Sequence, residues 1–160
     1  MKRLDRAQQQ FVLHWGEMGS RWGVSRSVAQ VHALLYISAE ALPADRIASE
    51  LSMARSNVST SLRELEGWGI VRQVHVLGDR RTYYQAVPDV WETLTVVLEE
   101  RKRRELDPTI AVLKRSLSGA EGETRKRLQE MLSLFETLAG LFAVFKAMAP
   151  EEMRRLAQTR

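Results

Sequence analysis

SMARSNVSTSLRELEGWGIV, residues 52–71, crowds small polar side chains into its first half and then spaces leucines at helical intervals. At about 100° per residue, a helix over 54–66 puts Val58, Leu62 and Leu65 on one stripe and Ser56, Thr60 and Arg63 on the opposite face. Asn57 and Ser59 flank that polar face. The leucine stripe has to dock on a core. The other side offers hydroxyls, an amide and a guanidinium to a wet, polar partner, and a nucleic-acid groove is the partner such a surface fits. Gly67 and Gly69 are placed to stop the helix.

Upstream, the spacing predicts three further helices. Leu4, Ala7, Phe11, Trp15 and Met18 recur at helical intervals and then meet glycines at 16, 19 and 23, so the first helix is expected to end in a loop there. Ser25 can cap a second helix through about residue 38, with Val28, Val31 and Leu35 inward. Leu42-Pro43 opens a short third one, proline suiting a first turn, with Ile47 and Leu51 as its buried pair. Downstream the period changes from helical to alternating. Val74 and Val76 alternate with Gln73 and His75, LGDRR at 77–81 supplies a turn, and TYYQAV resumes strand-prone residues. This is a β-hairpin with Arg80 and Arg81 at its tip. Helix, helix, short turn, helix, hairpin is the order of a winged helix-turn-helix, whose last helix enters the major groove while the hairpin wing lies along the backbone.

The run ARSNVSTSLRELEGWGIVRQVHVLGDRRTYY, with FVLHWGEMGSRWG before it and DVWETL and ERKRRELDP after it, resembles the GbsR-type branch of the MarR winged-helix transcriptional regulators over roughly residues 10–115. The resemblance implies a dimeric DNA-binding regulator, as a rule a repressor. It puts Arg55, Ser56, Asn57, Ser59, Thr60 and Arg63 on the recognition helix, and Arg80 and Arg81 on the wing. Ala54 stands where many such chains have a capping serine, which leaves Ser52 or Ser56 to cap. The second wing strand reads RTYY where a more acidic or histidine-bearing stretch is expected. The branch is named for control of glycine betaine synthesis, which implies a choline-like effector. Trp15, Trp22, Tyr36 and Trp91 are the aromatic faces able to hold a quaternary ammonium group by cation–π attraction, although such aromatics are more often core.

Beyond residue 88 the chain turns to long helices. Asp89 can cap one carrying Val90, Trp91, Leu94 and Leu98 and ending in ERKRREL; its RKRR run reads as a solvated helix end rather than a second DNA site. Asp107-Pro108 restarts the chain as a cap and first-turn proline, and SGAEG at 118–122 breaks it again. The last long element, about 123–149, places Leu128, Met131, Phe135, Leu138, Phe142 and Phe145 at steps of three and four over about 40 Å. Leu132, Leu134, Leu141 and Val144 widen the stripe beyond what one neighbouring helix covers, so a twofold partner chain is the expected cover.

Composition bounds this reading without deciding it. The 160 residues carry a formal net charge of +4, which tolerates a polyanionic partner. With no cysteine, disulfides, thiolate metal sites and cysteine nucleophiles are excluded. The histidines His14, His32 and His75 lack ligand-spaced company, and no nucleophile elbow or phosphate loop is present, so neither a metal, a cofactor nor catalysis is expected. The N-terminus MKRLDRAQQQ is polar and no uninterrupted apolar run reaches a membrane span, so a cytoplasmic protein is expected. The expected architecture is mainly α with a small β-hairpin wing: an N-terminal helix and loop over 1–24, a winged helix-turn-helix over 25–88, and C-terminal dimerisation and effector helices over 89–160. Its expected partners are an inverted-repeat operator in double-stranded DNA, a second copy, and a small-molecule effector. A protein-binding adaptor on the same fold is the alternative.

Overall fold

The computed structural model describes residues 4–158, and the chain divides after Thr93 into two compact units. The first begins with α1 (Arg6–Arg21). Asp5 and Gln8 cap it reciprocally, each side chain accepting from the other's backbone N–H at 2.8 and 3.0 Å. The helix runs on through Gly16 and Gly19 to Arg21, with Trp22 as its C-cap, and Gly23 then turns the chain at φ 77°. The two inner glycines are a contact rather than a stop. They let α1 press against α2 (Arg26–Ile37), so closely that a Cβ on Gly19 would lie 2.5 Å from that of Ala29. One on Gly16 would lie 2.5 Å from Gln30 Cγ. Ser25 does precede α2, but its hydroxyl bonds that of Ser27 at 2.9 Å and caps no backbone group.

α2 is the platform of this unit, with Val28, Ala29, Val31, Ala33, Leu34 and Leu35 buried along it. After it, Leu42-Pro43 is a short strand, β1, and not the first turn of a helix. Proline cannot donate to a sheet, so it suits an edge position, and Pro43 then serves as N-cap of α3 (Ala44–Leu51). Ser52 turns the chain in the left-handed conformation at φ 52°, and α4 (Arg55–Gly67) follows. The hairpin is β2 (Val71–His75) against β3 (Thr82–Ala86), antiparallel with Val71 opposite Ala86 and His75 opposite Thr82. β1 completes the sheet on the other edge of β3, Leu42 facing Tyr84.

The second unit takes up most of α5 (Val90–Arg101), whose first turn is capped by the Asp89 carboxylate accepting from Trp91 and Glu92 N–H at 2.8 and 3.2 Å. The sequence suggests a break at Asp107-Pro108, but the helix continues through a π turn (Lys102–Leu106) straight into α6 (Asp107–Leu117). Pro108 has no N–H for the carbonyl one α-turn back and its ring would collide with it; a wide turn relieves both problems without ending the helix. The basic run is spent along the same helix: Arg103 reaches Glu100 at 2.6 Å, Lys102 reaches Asp107 at 2.7 Å and Arg101 reaches Glu105 at 3.2 Å.

α7 (Gly122–Ala147) packs on α6 through a small core of Leu113, Leu117 and Leu132, with Ile110, Leu128 and Phe135 against it. Of the residues expected at a dimer seam, Leu128 and Phe135 therefore contribute to this core, Met131 and Leu138 are exposed, and Phe142 and Phe145 are half-buried. Leu134, Leu141 and Val144 are exposed as well. By length and composition α7 could cross a membrane, its apolar window having a mean hydropathy of 1.4 with only 6% of it buried, a feature that uninterrupted runs do not reveal. A further helix, α8 (Pro150–Gln158), follows the extended Met148 and was not anticipated.

Two tests probe the platform helix. Gly19→Leu should cost about 1–3 kcal/mol in urea melts, because Ala29 has no side chain that can swing aside. Gly67→Ala, with nothing within 4 Å of the new methyl, should change little, and equal effects would refute the close-approach account. His32 is buried on α2 with no hydrogen-bond partner at Nε2, and burial lowers its imidazole from 6.5 to about 4. The unfolded chain takes up this proton below pH 6.5 while the folded chain resists it. Stability fully present above pH 6.5 is thus lost as pH falls towards 4, by about 3 kcal/mol in all. His32→Phe should remove that loss, so the gap between mutant and wild-type stability must widen in the mutant's favour between pH 7 and 4.5; a constant gap would refute it.

Candidate nucleic-acid interface

The burial of α4 sorts its side chains as the helical period demands. Val58, Leu62 and Leu65 are fully buried, and Ser61 joins them on the inner side. Arg55, Ser56, Asn57, Ser59, Thr60 and Arg63 are all exposed. Because α4 packs on α2 and α3 within the first unit, its outward face is fixed by that core and not by its polar residues. No side chain caps its start: Ala54 is the N-cap, Ser52 is committed to ending α3, and Ser56 makes no capping bond. The first-turn N–H groups of α4 therefore point, with the positive end of the helix dipole, into the same space as Arg55 and Ser56, an arrangement suited to an anion.

The wing turn, residues 76–81, is closed by Asp79 N–H donating to the Val76 carbonyl at 3.1 Å, with Gly78 at φ 85°. The two arginines of the tip differ. Arg80 is exposed, and among the described residues no hydrogen bond or ion pair holds its side chain. Arg81 is engaged: Nη2 donates to Asp79 Oδ2 at 2.7 Å, Nε to Oδ1 at 3.2 Å, and its backbone N–H to Oδ1 at 2.9 Å. Its Nη2 also meets the Tyr83 hydroxyl at 2.8 Å, and the guanidinium lies 5.4 Å from the centre of the Tyr83 ring. The Arg81 guanidinium, then its backbone N–H, then the Tyr83 hydroxyl hold the Asp79 carboxyl well below the usual carboxylate range. The bond to Asp79 in turn raises the Tyr83 phenol.

Asp79 and Tyr83 were not singled out from sequence. The clue is an aspartate two residues before an arginine in the turn, with a tyrosine following at the start of the next strand. Leu77, an apolar side chain, is fully exposed at the turn. The four aromatics expected around an effector are placed less favourably. Trp22 and Tyr36 are exposed, Trp15 and Trp91 half-buried. Trp15 pairs with Phe11 at 5.4 Å and Tyr36 with His32 at 6.1 Å, so neither contact joins two of the four. Among the described residues no three His, Asp or Glu side chains come together as a metal site.

Three helices, a tight turn and a hairpin edged by a third short strand define a winged helix-turn-helix with C-terminal helices. Residues 22–82, the stretch holding that motif, match the model of the MarR family. The chain is 30% identical over 105 residues to the HTH-type transcriptional regulator MmpR5 of Mycobacterium tuberculosis, covering 63% of this chain and spanning only 61% of that relative's own length. It also resembles the crystal structure of a transcriptional regulator at 23% identity, covering 95% of this chain and 99% of that one with a TM-score of 0.67, which shows the fold. None of these comparisons points to an enzyme.

Proposed function

We propose that this chain is a homodimeric, sequence-specific regulator of transcription in the cytoplasm, a repressor of the GbsR-type branch that binds an inverted-repeat operator in double-stranded DNA. The observation that carries this reading is the outward face of α4. Six polar or cationic side chains, Arg55, Ser56, Asn57, Ser59, Thr60 and Arg63, stand exposed on a helix whose apolar stripe is wholly buried. Arginine suits guanine and asparagine adenine in the major groove, while Arg80 on the wing meets phosphate or the minor groove. The MarR-family match over the same residues supports it. An adaptor that binds protein instead of DNA would display apolar anchors on that face, and α4 displays none.

The second copy is argued from α7. Met131, Leu134, Leu138, Leu141 and Val144 leave its outer face apolar and exposed, and a twofold-related α7 would cover it. Two copies then present two α4 helices to half-sites about one helical turn or more apart. The effector of this reading is a small quaternary ammonium compound, for which Trp15, Trp22, Tyr36 and Trp91 supply the cation–π faces.

Gel-shifts with genomic fragments across a salt series test the reading, since protein–DNA binding weakens steeply as salt rises. Arg63→Ala should cost about 1–3 kcal/mol on the retained fragment and spare non-specific binding. Arg80→Ala should weaken both and lower the salt slope by about one. If Arg63→Ala leaves sequence preference intact, α4 is not the reading element. Added choline should release the fragment; no response to any quaternary ammonium compound removes that effector class. Leu138→Glu combined with Leu141→Glu changes exposed positions of 42% and 61%, so the protomer should still fold but run as a monomer in light scattering, with weaker operator binding. A dimer surviving this change would exclude the α7 seam, and wild-type protein partitioning into lipid vesicles would favour a membrane as the cover.

A further inference from the structure

The wing tip holds two adjacent arginines in different states: Arg81 is held by Asp79 and Tyr83, and Arg80 by neither. A guanidinium has five N–H donors. At Arg81 the Nε–H and one Nη2–H go to the Asp79 carboxylate, and the other Nη2–H goes to the Tyr83 hydroxyl at 2.8 Å. The hydroxyl in turn donates a hydrogen bond to Asp79 Oδ2 at 2.7 Å. Three donors are thereby committed, the guanidinium carbon lies over the Tyr83 ring at 5.4 Å from its centre, and the Nη1 edge has no partner among the described residues.

We propose that Tyr83 is a positioning residue of the wing: together with Asp79 it holds the Arg81 guanidinium so that only its Nη1 edge is presented to a phosphate or a minor-groove acceptor. This rests on the DNA-binding reading above and assigns the two arginines separate jobs. Arg80, with no restraint, contributes charge. Arg81, whose charge is offset by Asp79, contributes a fixed direction, because a side chain already ordered loses less rotamer entropy on docking. Aspartate alone grips one edge of the guanidinium; the hydroxyl closes the ring of contacts, and Asp45 adds a weaker favourable charge.

Tyr83→Phe in the full chain tests this, since it keeps the ring and removes only the hydroxyl. Binding to the retained DNA fragment should weaken roughly three- to ten-fold, the worth of one hydrogen bond to a charged network. The salt slope should stay unchanged, because no charge is lost. In an Arg81→Ala background the same substitution should cost nothing further. In the free protein, exchange of the Arg81 Nε–H with water, followed by NMR, should be faster in Tyr83→Phe than in wild type, because the Asp79 grip loosens without the hydroxyl. Unchanged affinity in Tyr83→Phe, or an equal loss with and without Arg81, overturns the proposal while leaving the DNA reading intact. Absence of any salt-sensitive binding by the wild-type chain overturns the DNA reading and this proposal with it, and the Nε–H exchange then reports only on the folded wing.

Discussion

The burial of Val58, Leu62 and Leu65 against the platform helix is the constraint on which the rest depends. A helix rotated by one residue, about 100°, would send Ser59, Arg63 and Glu66 into the core and expose the leucines. Three side chains, each excluding apolar surface worth roughly 1.5–3 kcal/mol when fully buried, make that rotation prohibitive. The outward display of hydroxyls, amide and guanidinium therefore needs no interaction of its own to hold it in place. Core and surface of α4 are two consequences of one docking event, so the orientation of the exposed face is fixed by the core beneath it.

The platform carries a cost of its own. α2 must accept α1, α3, α4 and β3 on its several faces, and that crowding explains both of its polar oddities. Gln30 is buried where Gly16 makes room for it, and His32 is buried with one ring nitrogen unmet. A histidine kept neutral inside a helix that supports the whole unit makes the unit's stability follow pH. The same crowding leaves glycine as the residue that fits at the α1 crossing.

Much of this was legible in the sequence. The period of α4, the change to alternation at Val74 and the turn residues LGDRR each report a local preference that tertiary structure did not override. What escaped were decisions made by neighbours. Gly16 and Gly19 look like helix stops until the close approach of Ala29 and Gln30 is known. Pro43 looks like a first-turn proline until β3 arrives to pair with Leu42. Asp79 and Tyr83 look like turn and strand filler until they are seen gripping Arg81. The long apolar stripe of α7 was visible, but sequence could not divide it into the side facing α6, with Leu128, Leu132 and Phe135, and the side left exposed.

The π turn ahead of Pro108 sets which residues of α6 face α7. A helix with one wide turn accommodates one residue more than a regular helix that keeps the same faces before and after it. Ile110, Leu113 and Leu117 thus meet α7 in the register that a chain one residue shorter would reach by plain α-helix.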